Sequence, residues 1–151
     1  MNEAAKTILM NTVKEWAKFT TDRERFGGVA QEIAAITRKS VQESLALLKT
    51  QNVEVECETA ENLKIMNIPV HIDPVVDATF PNVKVSVVLK CAGATRTIVI
   101  QPNLTISAGG TPITYDQLKK GVPPAFETNA ADFVRDAFLY VARTGGKEEA
   151  K

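Results

Sequence analysis

One histidine and two cysteines are all that this 151-residue chain has of the residues that most often hold metals or act as nucleophiles. The lone imidazole, His71, excludes multi-histidine zinc sites and Cys2His2 fingers, which need at least two. Cys57 and Cys91 fall far short of the cysteine density of a small secreted scaffold. Both lie in expected strands and are read as buried thiols of a reducing compartment. Net charge is missing too, since eighteen basic side chains are cancelled by eighteen acidic ones. That balance removes the long-range attraction behind non-specific binding to nucleic acid or anionic membrane. It also leaves little repulsion between copies, which favours self-association. No apolar run approaches the ~20 residues of a membrane span. Nor does the N-terminus hold a signal core, because Lys6, Lys14, Glu15 and Lys18 interrupt it. A cytoplasmic protein with neither membrane nor nucleic acid as partner is expected.

What is present is a change of hydrophobic period at Gln51–Asn52. Apolar side chains repeat every 3.6 residues on a helix and every 2 on a strand, so the period reports the element. Residues 3–19 read as an amphipathic helix with Ala5, Ile8, Leu9, Thr12, Val13, Trp16 and Phe19 on one face. Thr21-Asp22-Arg23-Glu24 has the form of a capping box and announces a second helix, which Gly27-Gly28 interrupts or kinks. From Val29 to about Thr50 the helix carries an apolar stripe almost half its circumference wide. That width implies burial against more than one surface, and Val29, Ile33, Ile36, Val41, Leu45 and Leu48 are the expected interface with a partner.

Alternation then runs from Val53 to about Thr114 and predicts five or six mostly antiparallel strands. Val53, Val55 and Cys57 alternate with an acidic row, Glu54, Glu56 and Glu58, read as a solvated strand face. Pro69 lies near a shift of pattern and marks a bulge or an edge. Asp73-Pro74 to Pro81-Asn82 reads as a loop, and Val83 to Cys91 as the most central strand. Ala92-Gly93-Ala94 turns into a strand at 95–101, and a second hairpin forms around Ala108-Gly109-Gly110. Thr114 to Gln117 caps a short helix closed by Gly121; Pro123-Pro124 is a spacer, and Asn129 caps a last helix ending at Gly145-Gly146. The expected fold is α+β: two N-terminal helices, the sheet, a short helix and a C-terminal helix, as one domain over 1–146 with a charged tail at 147–151.

Three function classes follow. Neither catalytic pair nor cofactor fingerprint is legible, so the leading expectation is a non-enzymatic interaction or assembly subunit. It would be homo-oligomeric, of the kind that accessory or virion-type structural proteins are. The first alternative is a winged-helix-like DNA binder, because Ile33 to Thr37 followed by Arg38-Lys39-Ser40 and Leu45 to Leu48 resembles a helix-turn-helix. Against it, no turn residues separate the two halves, and the basic footprint of Arg38, Lys39 and Lys49 is small. The second is a small enzyme or ligand-binding protein with a pocket between sheet and helices. There His71 and Asp73, two apart and therefore on one strand face, would form the polar site. Cys57, Cys91 and His71 lack the close spacing of a metal site, and Ala108-Gly109-Gly110 lacks the Lys-Ser/Thr of a phosphate loop.

Overall fold

A computed structural model describes residues 1–108 and 112–145. The expected charged tail, and the tip of the hairpin at Gly109-Gly110, lie outside the described residues. The first element is α1 (Glu3–Thr50), a single 48-residue helix. At 1.5 Å per residue it is about 72 Å long. Asn2 caps it by accepting a hydrogen bond from the Ala5 amide, and Asn52, at φ 64°, ends it in the left-handed conformation that asparagine tolerates. The expected break at residues 21–28 is therefore absent. Thr21 to Glu24 are interior helical residues, and Gly27-Gly28 stay helical. Two glycines cost roughly 2 kcal/mol of helix propensity. The side chains around them, Phe26, Val29 and Ala30, are buried and offset that loss.

Among the described residues eight strands follow in two antiparallel sheets, a smaller one of three strands beside one of the expected five. The first contains β1 (Val55–Thr59), β2 (Asn62–Ile65) and β3 (Ile68–Pro69) in that order. Pro69 is on its edge strand, as its missing N–H requires. Met66 and Asn67, both at positive φ, make the two-residue turn between β2 and β3. The second sheet contains β4 (His71–Thr79), β5 (Asn82–Cys91), β6 (Ala94–Ile100), β7 (Thr105–Ser107) and β8 (Ile113–Thr114), ordered as in the chain. The expected loop from Asp73 is strand. Every residue from His71 to Thr79 pairs with β5, down to Thr79 opposite Asn82. Pro74 fits because β4 is the edge strand and needs no ladder bond on its outer side. Two residues, Phe80 and the cis-linked Pro81, close this long hairpin. In the interior strand β5, Val85, Val87, Leu89 and Cys91 alternate inward and are buried.

The short helix α2 (Tyr115–Lys120) carries the expected capping box between Thr114 and Gln117 and ends at Gly121. The last helix, α3 (Pro124–Thr144), starts earlier than expected. Pro124 is its first residue, where a missing N–H costs nothing and a fixed φ suits the helix. Asn129 is thus an interior, buried residue rather than a cap. Its side chain accepts a hydrogen bond from Arg96 at 3.2 Å, and the same guanidinium pairs with Asp136 at 2.9 Å. One cluster of buried apolar side chains draws on α1, both sheets, α2 and α3. Helix α1 packs against β1, β4, β5 and α3.

Candidate functional site

The six residues expected to face a partner are taken up inside the chain. Val29, Ile33, Val41 and Leu45 are buried, and Ile36 and Leu48 are half-buried against the same core. The stripe is wide because α1 lies between the sheets and α3. Its breadth matches two contacts within one molecule, in which the four buried side chains are engaged.

Helix α1 also runs unbroken through Thr37, whose hydroxyl donates to the Ile33 carbonyl at 2.7 Å. The turn that separates the two helices of a helix-turn-helix is therefore missing. Arg38, one of the three cations of that reading, is turned inward. Its Nε and Nη2 donate to the carbonyl oxygen of Ile72 at 3.1 and 2.7 Å, satisfying a strand-edge acceptor.

His71 and Asp73 share a strand face, as expected, and both are exposed. They line a cleft of about 220 Å³ together with Arg38, Glu61, Leu63 and Val70. Neither cysteine nor serine lines it, so the geometry supplies an imidazole and carboxylates without a nucleophile beside them. The two thiols are elsewhere. Cys57 is half-buried in β1, where Gln42 donates to its carbonyl at 2.9 Å. Cys91 is buried and its Sγ reaches the Ile68 carbonyl at 3.9 Å, a weak contact; burial pushes this thiol up to about 11. Among the described residues no three His, Cys, Asp or Glu side chains are grouped to hold a metal ion. No helix of the described residues is long and apolar enough to cross a membrane.

Among the described residues, exposed large apolar side chains are concentrated on the first third of α1. Beyond Phe19, which is 5% exposed, the helix leaves the body of the molecule. Phe19 is the anchor: its ring lies 5.4 Å from Trp16 and 5.4 Å, edge-on, from Phe80 at the β4–β5 hairpin tip. Trp16 and Phe80 are 5.6 Å apart and complete the triad. Further out no described residue buries the large apolar side chains. Ile8 is 66% exposed, Val13 56%, Met10 55%, and Leu9 and Trp16 52% each. Four of these, Ile8, Leu9, Val13 and Trp16, share one side of the projecting arm at 100° per residue, and monomeric soluble proteins rarely leave such a contiguous patch open.

The sequence contains the amphipathic pattern of this arm but not its exposure. A strand of ten residues spans about 33 Å, so sheets built from strands this short cannot cover a helix of about 72 Å. Reading residues 3–50 as one helix would have exposed that mismatch. No family model, curated protein or solved structure matches the chain.

Proposed function

We propose that this chain is a non-enzymatic assembly subunit, working through protein–protein contact and associating with copies of itself. The observation that carries this reading is the projecting arm of α1, whose Ile8, Leu9, Met10, Val13 and Trp16 face solvent. Leaving large apolar side chains in water forgoes roughly 1.5–3 kcal/mol each relative to burial. A partner surface recovers that free energy, and the zero net charge opposes no approach between copies. A rigid helix is also a low-entropy way to present such a surface, since its backbone is ordered before contact.

Static light scattering from about 1 to 500 μM tests the reading. The apparent mass is expected to rise with concentration, and Ile8→Gln/Val13→Gln, which keeps good helix formers while removing apolar area, is expected to suppress the rise. A mass that stays at 16.4 kDa across the range would refute it.

A further inference from the structure

A second open surface, mixed in polarity around the exposed Leu47, lies at the other end of α1. Where that helix meets the first turns of α3, an open groove of about 370 Å³ is lined by Leu47, Pro124 and Ala131, with Glu43 and Glu127 on its walls. Leu47 is 66% exposed, although its neighbour Leu48 packs into the core. A groove between two packed helices is the shape into which a third helix lays its apolar ridge.

We infer that this groove receives the N-terminal arm of a second copy of the chain, an inference that rests on the self-associating role proposed above. Two properties match. The first is length. The groove runs along α1 from Ser40 to Leu47, about 10 Å at the helical rise, and the exposed patch from Ile8 to Trp16 spans about 12 Å. The second is charge. The groove lining holds two glutamates and no base, whereas the arm carries Lys6, Lys14 and Lys18 against Glu3 and Glu15.

The occupant is another copy and not the chain's own arm. Helix α1 is continuous from Glu3 to Thr50, so arm and groove are held about 45 Å apart along one rod. An arm in a groove is moreover a head-to-tail contact. Each docked copy leaves one arm and one groove free, so copies add until a ring closes or a filament grows.

The test mixes two full-length variants. Ile8→Gln/Val13→Gln keeps the groove and loses the arm's grip; Ala131→Arg keeps the arm and fills the groove with a bulky cation. Both changes are at exposed helical positions, and circular dichroism at wild-type strength confirms that each variant is folded. Each variant alone is expected to bind its own kind at least about tenfold more weakly than the wild type binds itself. Mixed, they are expected to pair through the one intact arm and the one intact groove, giving a dimer that grows no further. Trp16, the only tryptophan, reports docking by a blue shift of its emission. If the wild type associates but the mixture stays monomeric, or Ala131→Arg associates as the wild type does, the arm–groove contact is wrong while the assembly reading stands. If the wild type is itself monomeric, both fail. If the Trp16 shift occurs only on adding vesicles of 3:1 phosphatidylcholine and phosphatidylglycerol, the arm binds lipid and the inference is overturned.

Discussion

Replacing Gly93 with alanine should destabilise this protein through one ring, that of Tyr140. Gly93 sits in the tight turn between β5 and β6, where Cys91 pairs with Ala94. A Cβ added there would lie 2.3 Å from Cζ of Tyr140, 2.4 Å from Cε2 and 2.6 Å from the hydroxyl oxygen. Carbon atoms rest at about 3.5–4.0 Å, so the ring must retreat by more than 1 Å. The backbone raises no objection of its own, because Gly93 is not among the glycines with a left-handed φ. Overpacking on this scale costs about 1–3 kcal/mol. For a chain of this length each kcal/mol lowers Tm by about 2–4 °C. The ring's role is isolated by a double-mutant cycle in urea, followed by circular dichroism. In a Tyr140→Ala background the same Gly93→Ala change meets no ring. It should be neutral, or stabilise by about 0.4–1 kcal/mol by restricting the unfolded chain. The coupling between the two sites is then about 1–4 kcal/mol. Equal losses in both backgrounds would refute the argument, since the cost would then reside in the turn and not in the contact with α3.

Two further expectations follow from charged and titrating groups. Arg96 holds the Asp136 carboxyl below its usual range through their hydrogen bond, with Arg135 adding to the effect. A depressed carboxylate contributes stability above its unfolded pKa, and that contribution is lost as pH falls through the lower folded value. Urea midpoints between pH 6 and 2.5 should therefore fall more steeply below about pH 4 for the wild type than for Asp136→Asn. Because Asp136 is 41% exposed, solvent screening limits the difference to about 1 kcal/mol; parallel curves would discount the pair. Cys91, buried and with its thiol pushed up to about 11, should resist a thiol-specific reagent at pH 8 until the protein unfolds, while half-buried Cys57 reacts first. Two equally fast thiols in the native protein would contradict the burial of Cys91.

The class of the fold was legible because the period of apolar residues changes where helix gives way to strand, and tertiary structure did not override it. What misled was local chemistry that the chain holds but does not use. Thr21 to Glu24 could cap a helix, yet the hydrophobic contacts of Phe19 on one side and Phe26 on the other keep α1 running through them. Pro74 and Asp77 resemble loop residues, but an edge strand accepts a proline, and a solvent-facing strand position accepts an aspartate. Asn129 resembles a cap, and Pro124 five residues earlier is the start. For the site, the wide stripe at residues 29–48 was legible, whereas its occupants were not. Two neighbours within one chain and one neighbour from another impose the same pattern on a helix. The arm was legible as amphipathic and became a surface only once the reach of the sheets was known.

The unbroken passage of α1 from arm to core makes the arm's bearing a matter of phase. Each residue turns a helix by 100° and advances it 1.5 Å. A single residue inserted at Ala17-Lys18 would thus swing Ile8, Val13 and Trp16 away from the side of Phe80 while moving the tip hardly at all. Seven inserted residues would restore the facing and carry the tip about 10 Å outward. Arm length and arm direction can be set separately by counting residues, and the counting begins at Phe19.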